Sequence, residues 1–224
     1  MSSGIVRSLN VGAAEHNPAK RAGRTGIGKR PVDHAVDVRP PGPKTTGLHS
    51  GLVGDCIGDT KHHGGDDQAV YAYATEDYRW WAAELDRELT PGQFGENLTT
   101  EGVDLLGAVI GERWHFPSGL VLQATFGRIP CATFQHRMGE KRWIKRFTEA
   151  GRTGTYLRII TPGEVRAGDR IEVTDRPGHG LTVAEAFTIY MHDPTRLSRL
   201  LDAGDALPAG MPAEIEKRLA PSRP

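Results

Sequence analysis

Residues 119–137 read GLVLQATFGRIPCATFQHR. The run Leu120 to Phe126 is apolar and β-branched enough to form a strand. It delivers the chain into Gly127-Arg128-Ile129-Pro130-Cys131. Proline fixes its own φ and biases the residue before it toward extended geometry. Cys131 is therefore held just past the end of a sheet, close to a cation. A thiolate is the form of cysteine that attacks carbon or binds soft metals, and a nearby positive charge favours it. Free cysteine also serves as a small buried hydrophobe. The stretch alone leaves both readings open.

The rest of the composition narrows the class. With 224 residues, the chain makes one domain, or one domain with a small appendage. A 38% hydrophobic and 25% charged content is enough for a soluble core. Lys+Arg and Asp+Glu balance at 28 each, so no global field draws the protein to nucleic acid or to an anionic membrane. Any anion site must be local. The 28 glycines and 15 prolines are spread between short apolar runs. That favours strands, turns and long functional loops. Two cysteines, Cys56 and Cys131, do not make a disulfide scaffold. The start MSSGIVR lacks a signal-peptide core, and no window is long enough to span a bilayer, so a reducing cytoplasm is the expected compartment.

Outward from the opening stretch, short strands are expected at 4–10, 36–38, 69–73, within 107–114, at 155–161 and at 170–174. Between the first two lies a basic, glycine-containing loop at 11–30, carrying Lys20, Arg21, Arg24, Lys29 and Arg30. Tyr78, Trp81, Ala82, Leu85 and Leu89 share one helical face and read as core. A short helix is expected over 140–150. After Gly180 the composition becomes helical. Thr182 and Glu185 have capping-box spacing, Asp193-Pro194 starts a second helix, and Pro212 starts a third. The expected division is a β-barrel over residues 1–178 and a three-helix module over 181–220.

Four constellations could carry chemistry. Cys131 has Arg128 before it and His136 after it. His62-His63-Gly64-Gly65-Asp66-Asp67-Gln68 lets the backbone approach a ligand closely and offer N–H donors, or is a sharp loop-to-strand turn. In Phe94-Gly95-Glu96-Asn97-Leu98, the Asn97 amide could meet a heterocycle edge or satisfy its own turn. Tyr156 and Arg158 alternate onto one face of a strand, where Arg158 is a forked anion binder or an exposed surface group. There is no phosphate-binding loop and no dinucleotide fingerprint.

Taken in order, the segments GLVGDCIGDTKHHGGDDQAVYAY (51–73), FGENLTTEG (94–102), FGRIPCATF (126–134) and GTYLRIITPGEVRAGDRIEV (154–173) resemble the MOSC domain, the C-terminal domain of molybdenum cofactor sulfurases. The helical tail is similar to that of a bacterial stand-alone subgroup. The resemblance implies a mainly β fold with peripheral short helices, built on a MOSC-type β-barrel. It also implies a pterin-based molybdenum cofactor with Cys131 as the protein ligand to the metal. His63, Gly64, Gly65, Asp67 and Gln68 would border the cofactor, with Asn97, Arg128, Tyr156 and Arg158 as further contacts. Lys29, Arg30 or another basic residue of the 11–30 loop could meet its phosphate. The loop at 11–30 has no clear counterpart in the family pattern.

The implied activity is reduction of N-hydroxylated compounds such as N-hydroxylated bases. His63 or His136 would give the proton that lets oxygen leave as water. The chain has no flavin or iron–sulfur pattern, so electrons would come from a separate flavoprotein or ferredoxin-like donor. Alternatives within the resemblance are a sulfurtransferase or sulfur carrier with a persulfide on Cys131, and a non-catalytic cofactor carrier.

Overall fold

A computed structural model describes residues 2–20 and 23–220, so Arg21 of the basic cluster lies outside the described residues. In chain order the first strands are β1 (Ser2–Val11), β2 (Glu15–His16), β3 (Arg24–Thr25), β4 (Arg30–Val32), β5 (Val36–Val38) and β6 (Val70–Ala74). They are followed by β7 (Leu98–Glu101), β8 (Arg113–His115), β9 (Val121–Phe126), β10 (Thr155–Thr161), β11 (Gly163–Val165) and β12 (Arg170–Thr174). The helices are α1 (Thr75–Leu85), α2 (Ala132–Met138), α3 (Trp143–Ala150), α4 (Val183–His192) and α5 (Met211–Leu219). A 3-10 segment, Pro194–Ala206, joins the last two.

The main sheet runs β12-β8-β9-β10-β6-β7-β1-β4, and pairing of β12 with β1 closes it. The closed ring leaves β4 as an outer addition to the far end of β1. Neighbours are antiparallel except β6 and β7, which run parallel. A parallel pair needs a crossover, and α1 supplies it. Closure removes most exposed edges, which suits a chain of many short strands. The fold is mainly β with α, as the sequence implies.

Alternation along the strands fills the interior. Val6, Leu9, Leu122, Ala124, Leu157 and Ile171 are all essentially buried there. One apolar core runs from these barrel residues into Val183, Phe187, Leu197 and Leu200 of the helical tail. A second, aromatic cluster lies outside the barrel. Tyr73 stacks on Phe94 at 4.2 Å, and Trp81, Phe134, Trp143 and Phe147 close around them. Tyr78 and Trp81 of the expected face are therefore core, packed under α2 and α3, whereas α1 ends at Leu85, where Asp86 takes a left-handed cap, so Leu89 lies past the helix and is only partly buried.

Several local expectations shift. The strand expected within 107–114 is short and late, β8 beginning only at Arg113, because Gly111 at φ +93° turns the chain first. The helix expected over 140–150 begins at Trp143, after Arg142 takes positive φ. The helix α2, immediately after Cys131, was not expected.

Candidate active site

Cys131 stands at the mouth of the barrel. β9 ends at Phe126, four residues cross the rim, and Cys131 takes extended geometry (φ −131°, ψ 170°) before α2 begins. Its thiol is free and half-buried at the edge of the aromatic cluster. It lines an inner pocket of about 70 Å³. Asn17, residues 24–27 and Lys29 form one wall of this pocket, with β2 and β3 as a small ribbon. Asn17 in that segment donates to Thr133 Oγ1 at 3.0 Å, fastening the wall to α2. The crossing is tight. A Cβ on Gly26 would lie 1.9 Å from the Cys56 carbonyl oxygen, so only glycine fits there.

Arg128 is the charge of this pocket. It is buried, and one guanidinium nitrogen donates to the Phe94 carbonyl at 3.0 Å. The guanidinium carbon sits 4.4 Å over the Phe134 ring and 5.0 Å over the Tyr71 ring. Among the described residues no carboxylate forms an ion pair with it, and its Nε has no partner. Tyr156, beside it, is buried, and its hydroxyl makes no hydrogen bond among the described residues. Burial raises the Tyr156 phenol above its ordinary pKa, so it stays a donor.

A larger cleft of about 1040 Å³ adjoins the inner pocket. His63, Gly64, Gln68 and Tyr156 line both, so the two spaces meet at these residues. Burial, reinforced by the Arg128 charge, holds the His63 imidazole down to about 4 from its ordinary 6.5. It is neutral at neutral pH. The loop is shaped by Gly64, whose N–H donates to Gln68 Oε1 at 3.2 Å, and by Gly65, whose N–H donates to the His49 carbonyl at 2.9 Å. His136 faces neither space; it lies in the last turn of α2.

Other expected contacts are engaged elsewhere. Asn97 reaches the inner pocket, but its Oδ1 accepts from the Tyr71 N–H at 3.1 Å. Its Nδ2 donates to the Asn10 carbonyl at 3.3 Å and to Asp55 at 3.1 Å. The amide has little left for a heterocycle. Lys29 faces Asp55 at 2.5 and 2.6 Å, and both side chains are almost wholly buried. Its charge is already matched. Arg30 is exposed and lines neither space. Asp67 and Arg158 pair with each other at 2.5 Å in the outer cleft. Arg24 of the basic loop lines the inner pocket, and so do Cys56, Ile27 and Tyr71, which were not expected there. The glycines at 26 and 28 were the available signal.

A MOSC domain is matched over residues 59–172, just over half of the chain. The Bacillus subtilis (strain 168) protein YflK is 32% identical over 198 residues, 87% of this chain and 84% of YflK. The chain belongs to the MOSC family. The solved structure of YiiM from Geobacillus stearothermophilus, a stand-alone MOSC protein, superposes with a TM-score of 0.78 at 25% identity. That match covers 97% of this chain and 100% of the other. A protein of Gibberella moniliformis (strain M3125 / FGSC 7600) named reductase is 30% identical over 131 residues, 57% of this chain but 23% of that protein. MOSC domains in general are associated with molybdenum-cofactor binding. No helix among the described residues is long and apolar enough to cross a membrane.

The residues of this MOSC barrel can be tested against such a group. A buried guanidinium with an orphaned Nε suits an anionic ligand. A free thiol in the same pocket suits a soft metal–sulfur centre. The inner pocket alone is small for a pterin, but it opens into a cleft at the upper end of usual ligand-site volumes, about 300–1,000 Å³. The donor set fits.

Proposed function

We propose that this protein is a molybdenum-cofactor-dependent reductase of N-hydroxylated compounds, supplied with electrons by a separate flavoprotein or ferredoxin-like protein. The reading rests on one observation above others: Arg128 is buried without a carboxylate, in the pocket that Cys131 lines. The overall change would be R–NHOH + 2 e⁻ + 2 H⁺ → R–NH₂ + H₂O. When bound, the cofactor supplies the two-electron chemistry.

The chain's own residues would do the rest. The Cys131 thiolate ligates the metal. Arg128 balances the negative charge gathered around it. The Tyr71 and Phe134 rings that flank Arg128 keep water from it and strengthen that electrostatic contact. Tyr156 and His63 stand where the two spaces meet, so the N–OH oxygen of a substrate entering from the cleft would meet their donors. A bound anion at this junction would favour protonation of His63, opposing the effect of Arg128. That makes His63, rather than His136, the imidazole placed to deliver a proton to the leaving oxygen.

The test is to produce wild type and Cys131→Ala in a cofactor-competent host. Molybdenum and turnover of an amidoxime with a reduced viologen dye are then measured. The expected result is stoichiometric molybdenum and turnover in wild type, with both reduced at least about tenfold in the variant. Wild-type protein without molybdenum would overturn the reading. Cyanide-releasable sulfur on Cys131 in metal-free protein would instead favour sulfur transfer.

A further inference from the structure

Asp67 and Arg158 are joined to the helical tail as firmly as to each other. Asp67 Oδ1 accepts from Arg158 at 2.5 and 3.0 Å, while its Oδ2 accepts from the Ala209 N–H at 2.8 Å. The remaining guanidinium donors go to the carbonyls of Asp205 at 3.0 Å and Leu207 at 3.1 Å, and to Gln123 Oε1 at 3.3 Å. One ion pair thus connects β10 to the 205–209 linker before α5. It also reaches the site loop, because Asp67 lies two residues after Gly65 and its own carbonyl accepts from Thr125 at 2.8 Å.

The same two regions both line the outer cleft, and they touch where Asp67 accepts from Ala209. Residues His62 to Gln68 contribute one stretch of its lining, and Pro208 to Met211 contribute another. The pair is half-buried, and each partner is saturated by groups of this chain. An arginine engaged by a carboxylate, a side-chain amide and two carbonyls has no fork left for a phosphate.

We propose that Asp67 and Arg158 are positioning residues: a clamp that seats the 205–211 segment as part of the wall of a substrate-binding cleft, and not contacts to the cofactor. This rests on the reading above only in taking the N-hydroxylated compound to bind in the outer cleft. The clamp sets the width between His63 and the linker, so it acts on how substrate is held, while Cys131 and Arg128 hold the metal group.

The experiment uses the full-length holo-protein with Asp67→Asn, Arg158→Lys and the double variant. Asp67→Asn keeps shape and removes charge; Arg158→Lys keeps charge and removes the fork. Three readouts are taken: molybdenum content, amide exchange across 205–211, and KM against kcat for an amidoxime. The expected result is unchanged molybdenum, roughly tenfold faster exchange at the Ala209 amide, and KM raised about three- to tenfold with kcat within about twofold. The double variant should show less than the product of the single effects. Molybdenum lost as in Cys131→Ala would overturn the proposal, because the pair would then be a cofactor contact. Unchanged exchange would remove the clamp, and faster exchange with unchanged KM would remove its role in the substrate cleft. If no N-hydroxylated compound is reduced, the broader reading fails, while exchange at Ala209 still tests the clamp.

Discussion

Arg128 is 6% exposed and lies against two aromatic rings without a carboxylate. Replacing buried charge by an apolar side chain of similar length is often stabilising, by about 1–4 kcal/mol for pairs. Arg128→Met would also leave the Phe94 carbonyl without its donor, which costs about 1 kcal/mol. The net expectation for protein made without cofactor is a gain of about 1 kcal/mol, or roughly 2–4 °C in Tm. Protein made with cofactor should carry several-fold less molybdenum. Thermal melts and metal analysis of the same variant check both halves. A variant that melts lower yet keeps its molybdenum would remove Arg128 from the anion-binding role. At this scale the sequence was informative where a residue's meaning is local. Pro130 marks Cys131, and the strand before it marks the rim. Asn97 was not legible, because Asn10, Asp55 and Tyr71 reach it from distant parts of the chain.

Elements divide by length. β10 is seven residues rich in β-branched side chains and β12 alternates between exposed and buried, and their positions are plain in the sequence. α2 has seven residues, and its only apolar anchors are Phe134 and Met138, one turn apart. That is too little periodicity to separate from a loop. The 12–30 segment carries almost no apolar pattern. Its role as a pocket wall appears only when the glycines are placed against Cys56. The His63 loop depends on the same kind of contact. Gly64 has φ +81°, and a Cβ there would lie 2.6 Å from the His49 carbonyl oxygen. Gly139, the C-cap of α2, has φ +69° with nothing within 4 Å. Alanine at either position incurs left-handed strain of about 1–2 kcal/mol. Only at Gly64 must the backbone also move, so Gly64→Ala should cost about 1–2 kcal/mol more. It should also lower molybdenum content, whereas Gly139→Ala should not. Chemical denaturation of the two variants side by side gives the comparison. Equal losses would mean that the loop has slack at His49.

The whole molecule is tied together more closely than a change of composition near Gly180 suggests. The backbone crosses the expected boundary as a ladder: Ile110 N–H to Leu181 at 3.0 Å, Val183 N–H to Ala108 at 2.9 Å, and Ala184 N–H to Leu106 at 3.0 Å. Phe126 at the end of β9 packs edge-on to Tyr190 of α4, with ring centroids 5.7 Å apart. Leu181, Val183, Phe187, Leu197 and Leu200 are all buried in the same cluster as Leu122 and Ala124. Each such side chain contributes about 1.5–3 kcal/mol when taken from water. A barrel ending at residue 178 would uncover apolar surface on β9 and lose stability of the same order as a whole domain's margin, about 5–15 kcal/mol. Calorimetry of the full chain should therefore give one transition, and the chain cut after residue 178 should lack a cooperative one. Two separated transitions in the full chain would make the helical tail an independent unit. One transition has a consequence for the site. The shared core then holds the helices around the outer cleft, and local opening of the 205–211 segment between them is what the Asp67–Arg158 contact limits.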